Sequence, residues 1–380
     1  TDMFVWGRLQ PLDEDMAMKK SFKVVALLLL IVATIVLFLM FGNSKSNIAT
    51  INSTISSCQS NSNLSANWIE KNIDIAKEDG QTIGCITAAS DLVYYEICDL
   101  DRNKQYYEKS TIYSADTNGH KELITEITNG GKSFFTNELL VIDNSLFWVY
   151  RDSEKIEIER FDLSTKKIDT ISCYEPNTPD IILSHDDQFV AWYVSDSNGI
   201  SLNTYHCKSR QIHQISNSIT TDSPYTKAFV NDGIVAFLEK QSKRRILKIY
   251  DLQNGSIIFS VDVPLDFEIT RLQANKDYIV CTNGYGSDNS LYILNKDTMK
   301  FDRFDLSVPN YNIFFCELYN DHVFIYSSKS KEIFDVSLSQ NSFSEIQINK
   351  TLWMSLIGEN GNYYAYDPVN SKIIELRFSQ

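Results

Sequence analysis

Glycine and proline are scarce in this chain, 14 and 7 among 380 residues, so its many turns must be made by Asn, Asp and Ser. The seven cysteines, 58, 85, 98, 173, 207, 281 and 316, lie mostly inside apolar runs and form no C-x-x-C pair. An odd number at irregular spacing is no disulfide framework, and most read as small buried hydrophobes. Only Cys85 and Cys98 are spaced to face each other across a hairpin. The five histidines, 120, 185, 206, 213 and 322, stand far apart and near turns. No G-x-S-x-G, H-E-x-x-H, Walker or EF-hand pattern occurs. Ser328-x-x-Lys331 lacks the companion motifs of a penicillin-binding site. Gly284-Tyr285-Gly286 lacks the third glycine and the strand–helix setting of a dinucleotide fingerprint. Basic charge is short as well, with 35 Lys and Arg against 49 Asp and Glu. Beyond residue 45 the balance is 30 basic to 45 acidic, which argues against nucleic acid or an anionic membrane surface as a partner.

Long apolar runs are absent with one exception. Residues 24–41 are 18 consecutive apolar or small side chains, and no charge appears from Val24 until Lys45. As a helix this run spans about 27 Å, close to the hydrocarbon thickness of a bilayer. It is longer than a signal-peptide core, no small-x-small cleavage site follows, and it carries no polar stripe. It reads as a transmembrane signal anchor over residues 24–42. Arg8, Lys19, Lys20 and Lys23 precede it and only Lys45 follows closely, so residues 1–23 are expected in the cytoplasm and the remainder outside. Residues 43–65 are rich in Ser, Asn and Thr and read as a flexible stalk.

From residue 66 to the C-terminus the chain is a succession of short apolar runs and polar turns, with no amphipathic stretch long enough for a helix. It also repeats. Phe161-Asp162-Leu163 and Tyr250-Asp251-Leu252 open matching turns, and the other copies place Ser114, Asp162, His206, Asp251, Asn295 and Ser337 in register. The steps between them are 48, 44, 45, 44 and 42 residues. Short strands at such a period are the signature of a β-propeller. Units are expected near 82–128, 132–173, 178–216, 225–262, 268–306, 311–348 and 350–380. The last offers only three strand-like runs, and an open edge there would template aggregation. Ile73-Asp74-Ile75-Ala76, just upstream of the first unit, is the expected fourth strand. The expectation is an all-β, seven-bladed propeller closed by its own N-terminal strand, with six or eight blades as alternatives, preceded by one transmembrane helix.

One unit carries a longer motif, Leu183-Ser184-His185-Asp186-Asp187-Gln188-Phe189-Val190-Ala191-Trp192-Tyr193-Val194-Ser195-Asp196-Ser197-Asn198-Gly199. It resembles the repeat of TolB-like propellers: Ser-Pro-Asp-Gly, an apolar strand, Ser-Asp, then a turn ending in Gly. His185 stands where that repeat has Pro, and Asp187 where it has Gly. The other units keep the apolar rhythm without the motif. The resemblance implies the fold; TolB-like propellers bind many unrelated partners, so it transfers little function.

Candidate functional residues are few. His185-Asp186-Asp187 is the best group for chemistry near a propeller axis, against the plainer reading of a turn. Asp196 and Asn198 suit either a cation or an ordinary hairpin turn. Lys240-Gln241-Ser242-Lys243-Arg244-Arg245 is the densest basic run of the acidic domain; Lys240, Lys243, Arg244 and Arg245 are candidate contacts for an acidic partner or lipid head group, or else a solvated loop. In the tail, Phe4 and Trp6 are candidates for docking or interfacial anchoring. No cofactor or metal is called for. These features favour an extracytoplasmic binding or scaffold propeller, a subunit of an envelope membrane complex with protein partners. The alternatives are a cell-wall glycan hydrolase or lyase working through paired carboxylates, and a sensor signalling through the short tail.

Overall fold

The computed structural model describes residues 49–50, 56–57, 68–101, 106–221, 228–242, 244–263, 269, 271–282, 290–296, 300–305, 313–327, 331–340, 342–348, 350–358 and 360–378. The expected anchor at 24–42 and the tail expected in the cytoplasm, residues 1–23, lie outside them. Every regular element among the described residues is a β-strand. The first antiparallel sheet runs Gln81–Ala89, Leu92–Leu100, Tyr107–Asp116, Lys121–Thr128. The second runs Phe135–Ile142, Ser145–Arg151, Ile156–Asp162, Lys167–Tyr174. The third (Leu183–His185, Phe189–Asp196, Gly199–His206, Gln211–Ile219) is joined to the fourth (Val230–Asn231, Ile234–Gln241, Arg244–Asp251, Ser256–Val263) by the single bridge Ile219–Glu239. The fifth is Arg271–Ala274, Tyr278–Thr282, Ser290–Asn295, Lys300–Asp305, and the sixth Ile313–Tyr319, His322–Ser327, Glu332–Ser337, Ser342–Gln347.

The last sheet begins with Trp353–Ile357, Tyr363–Asp367 and Lys372–Phe378. Its fourth strand, Trp68–Asp74, comes from the other end of the chain, with Ile73 opposite Ile373 and Trp68 opposite Phe378. The strand therefore starts five residues before the expected 73–76 segment and ends at Asp74. The first strand of each sheet touches the first strand of the next, and the series returns from Trp353–Ile357 to Gln81–Ala89. This is a β-propeller-like ring.

Burial follows position within each sheet. Second strands are covered on both faces: Ser145–Arg151 is buried in all but its last residue and Ile234–Gln241 in its first six. That is why they read as continuous apolar runs rather than alternating ones. Fourth strands are largely exposed, as in Lys167–Tyr174. The apolar side chains collect between neighbouring sheets. Trp148, Tyr107 and Phe134 lie between the first and second, and Trp192, Phe147 and Leu183 between the second and third. Tyr363, Phe324 and Ile374 fill the gap before the last. Each fully buried Leu, Ile or Phe contributes about 2 kcal/mol, so the ring is held by many such wedges.

The 44-residue period has a local cause. Asp162 accepts the backbone N–H groups of Ser164 (3.1 Å) and Thr165 (2.9 Å), and Asp251 accepts those of Gln253 (2.9 Å) and Asn254 (2.8 Å). The fourth residue after each, Lys166 and Gly255, is left-handed (φ 58° and 65°) and donates its N–H back to the carbonyl of the Asp. His206 makes the same turn through Nδ1, with Arg210 at φ 58°. The residue after the turn-former then donates to the loop between the first two strands: Leu163 to Asn144, Cys207 to Gln188, Leu252 to Gly233, Leu338 to Asp321. In the first sheet the position belongs to Asp116, which accepts from Asn118 and His120. Ser114, two residues earlier, is a strand residue opposite Tyr94. The correction shortens the first step from 48 to 46.

Within the segment expected as a stalk, Ala49–Thr50 lies parallel to Ser256–Val263, and Ser56–Ser57 parallel to Lys300–Asp305. Each adds a short fifth strand to the outer edge of its sheet.

Candidate functional site

The first strands enclose a cavity of about 520 Å3 that draws lining from every sheet. Its walls are apolar over Ile86, Leu140, Leu183 and Leu356, and it holds the carboxylates Glu138, Asp186, Asp187, Asp232 and Glu317 with no Lys or Arg among the described lining residues. The strands around it are irregular. Pairing slips between Ile83 and Ile86, between Asn137 and Leu140, and between Trp353 and Leu356. Glu138 and Met354 sit in the left-handed region there (φ 56° and 52°). Bulges of this kind bend a strand and re-aim its side chains.

Asp186, in the motif that resembles TolB-like repeats, forms a turn and a clamp. Its Oδ1 accepts the N–H groups of Gln188 (2.9 Å) and Phe189 (2.8 Å), and its Oδ2 accepts Gly233 N–H (2.7 Å) from the next sheet. Burial pushes its pKa up, against the pull of those donors. Next to it, Ser184 Oγ accepts Val230 N–H at 3.1 Å. Equivalent polar ties occur around the ring: Gln273 Oε1 accepts Leu318 N–H (2.5 Å), Glu317 accepts Ile357 N–H (2.9 Å), and Asn360 donates to Ser90 C=O (2.8 Å). The polar groups beside the cavity thus largely satisfy backbone that the inner strands leave open.

The histidines are not brought together. His120 bonds Asp116 (2.8 Å), His206 serves its own turn, and His322 lies between Asp335 (2.7 Å) and Asp321 (3.5 Å). The hydrogen bond that His322 donates to the Asp335 carboxylate raises the His322 pKa. Asp196 accepts Asn198 N–H at 2.6 Å, the bond of a plain hairpin turn. Among the described residues, no group of three or more His, Cys, Asp or Glu is arranged to hold a metal ion.

The basic run occupies the hairpin between Ile234–Gln241 and Arg244–Asp251. Lys240 is exposed and Arg244 pairs with Asp262, whereas Arg245 is buried at 8% exposure. Lys243, Phe4 and Trp6 lie outside the described residues.

One polar centre escaped the sequence. Glu96 is 2% exposed and accepts hydrogen bonds from Ser110 Oγ of its own sheet and Thr136 Oγ1 of the next. The thiols of Cys85 and Cys98 also bond it, and burial raises its pKa. The two cysteines are free and not opposite each other: Cys98 faces Thr82, and Cys85 sits in the bulge between Ile83 and Ile86. Gly84 permits the cluster, since a Cβ there would come within 2.1 Å of Glu96 Oε2 and 2.7 Å of Cys98 Sγ. A lone Glu in an apolar strand resembles any solvent-facing residue, so only the pairing could reveal it.

The class these observations define is a β-propeller-like all-β domain around a central cavity. No family model matches the chain, and no curated protein sequence matches it. Solved structures do. A prolyl endopeptidase structure is 7% identical with a TM-score of 0.53, covering 79% of this chain and 50% of that one. A mitotic checkpoint complex structure is 8% identical with a TM-score of 0.52, covering 87% and 95%. The hydrazine synthase of Kuenenia stuttgartiensis is 9% identical with a TM-score of 0.51, covering 80% and 97%. At such identities the likeness is one of fold.

Proposed function

We propose that this chain is a membrane-anchored, extracytoplasmic binding propeller of seven blades that serves as a scaffold subunit of an envelope membrane complex. The observation that carries the reading is the closed circuit of first strands tied by inter-sheet hydrogen bonds. It makes a rigid body presenting two loop faces, a geometry suited to recognition. Asp186 and Glu317, two of the carboxylates beside the cavity, are engaged by backbone donors, which favours binding over hydrolysis. The motif that resembles TolB-like repeats supports the propeller fold, and a checkpoint complex with a similar fold illustrates the partner-binding use. The anchor reading rests on the 18-residue apolar run and the basic residues before it. Among the described residues no helix is long and apolar enough to cross a membrane, and the run itself lies outside them.

Protease added to intact cells tests the topology. Degradation of residues 46–380 with the tail spared is the expected result, and full protection of an unshielded domain reverses the orientation. Purification from native membranes tests the scaffold role: a stoichiometric protein companion supports it, whereas a solitary chain that turns over a glycan or peptide replaces it with an enzyme.

A further inference from the structure

A second concavity, of about 530 Å3, opens at the rim between the second and third sheets. Its size falls within the roughly 300–1,000 Å3 of small-ligand pockets. The end of Lys167–Tyr174 forms one wall and the strands of the third sheet the other. That sheet is irregular at this spot. Pairing between Gly199–His206 and Gln211–Ile219 slips at Ile200/Leu202 and again at Leu202/Asn203, so Ser201 stays opposite Val194 but has no partner on Gln211–Ile219, and Asn203 lies opposite Gln214. Successive slips turn side chains out of the regular pleat, as bulges beside binding sites do. Two side-chain amides, Asn203 and Gln214, and the hydroxyls of Ser195, Ser201 and Thr178 line the cleft. Asn203 Nδ2 donates to Ser201 Oγ at 3.2 Å, which orients its Oδ1 as an acceptor. The Tyr174 hydroxyl accepts the Nε1–H of fully buried Trp192 at 2.8 Å, fixing an aromatic wall.

The charge balance narrows the ligand. Among the described residues Lys155 is the only cation lining the cleft, and it pairs with Glu157 at 2.5 Å; Glu154 pairs with Lys132 at 2.7 Å. An anion would find no uncommitted cation. Besides the carboxylates of Glu175 and Asp196, what remains is amides and hydroxyls that both donate and accept, beside the Tyr174 ring.

We propose that this cleft binds a short neutral oligosaccharide. Sugar hydroxyls donate and accept at once, which matches amides and hydroxyls, and the C–H face of a pyranose packs on an aromatic wall. The site is remote from the central cavity and needs neither the anchor nor a protein companion, so the outcome of the membrane purification leaves it untouched.

Cys173 supplies the readout, because it lines the cleft and is the exposed member of the described cysteines. Its alkylation by iodoacetamide is followed by peptide mass spectrometry with cellobiose, maltose or chitobiose present. The expected result is that at least one disaccharide slows the reaction, by about tenfold at ten times its Kd, where about one site in ten stays empty. Gln214→Ala and Asn203→Ala should each abolish that protection while leaving the sugar-free alkylation rate unchanged. The exposed Gln214 keeps the test valid if Asn203→Ala fails to fold. Absence of protection by all three disaccharides, or protection that survives Gln214→Ala, overturns the proposal.

Discussion

Glu96 joins two sheets through one carboxyl, and its protonation state bears on the stability of that link. Burial is the main cause of its raised pKa, outweighing the hydroxyl and thiol hydrogen bonds that pull it down. An acid whose folded pKa lies above its unfolded value favours the folded state while protonated. That contribution is present below the unfolded pKa and is lost as pH rises through the folded pKa. Glu96→Gln keeps the shape and removes the titration. The variant is expected to show a flatter fall of melting temperature with rising pH than the parent, with the two converging in acid. Parallel pH profiles for both proteins would show that the Glu96 pKa does not differ between the folded and unfolded states. The cluster also marks where sequence reading stops. Spacing across a hairpin suggested a Cys85–Cys98 contact, yet the observed register sets Cys98 opposite Thr82 and leaves Cys85 in the bulge, and both thiols bond a carboxylate. Bulges leave no compositional trace, and one residue of slip moves a side chain to the other face.

At the scale of the element, the turn between third and fourth strands is the unit that repeats. It was legible because its chemistry is local: an acceptor side chain, two polar residues, and a position with positive φ. The first copy was misplaced by two residues because Asp116 and Ser114 are both turn-forming types, and only pairing shows which one ends the strand. Arg245 was illegible for a related reason, since Arg244–Asp251 is covered on both faces from its second residue, with Arg245, Ile246 and Leu247 buried in succession beside an exposed Arg244. Asp251 offers the cleanest test of the turn. Hydrogen bonds from Asn254 and Gln253 lower its pKa. Asp251→Ala removes the acceptor for two backbone donors and is expected to cost about 1 kcal/mol, in line with the loss of a helix cap. Urea unfolding would read this as a lower midpoint at unchanged slope. Because a carboxylate with a depressed pKa stabilises above its unfolded pKa and stops doing so as pH falls through the folded one, the deficit should shrink in acid. A deficit that persists in acid would assign the loss to packing.

At the scale of the molecule, the ring depends on a strand from one end of the chain completing the sheet at the other. Trp68–Asp74 pairs along its length with Lys372–Phe378, and Ile75 N–H continues the contact to Ser371 C=O at 3.0 Å. Ile73 and Ile75 are 2% and 4% exposed, packed with side chains of the first and last sheets. Removing them forfeits about 4 kcal/mol of apolar burial, and it also uncovers the edge of Lys372–Phe378 as a template for pairing between molecules. Three chains separate these contributions, starting at Ser46, Asn67 and Lys77. The first two differ by the short parallel strands at Ala49–Thr50 and Ser56–Ser57, which make few backbone contacts. They are expected to be monomeric and to melt within a few degrees of each other. The chain starting at Lys77 is expected to aggregate or to melt far lower, with the broadened transition of an open ring. Cooperative melting of the Lys77 chain at the temperature of the Ser46 chain would mean that the last sheet stands complete on three strands. The closing strand would then be a tether for the N-terminal segment rather than a part of the ring's stability.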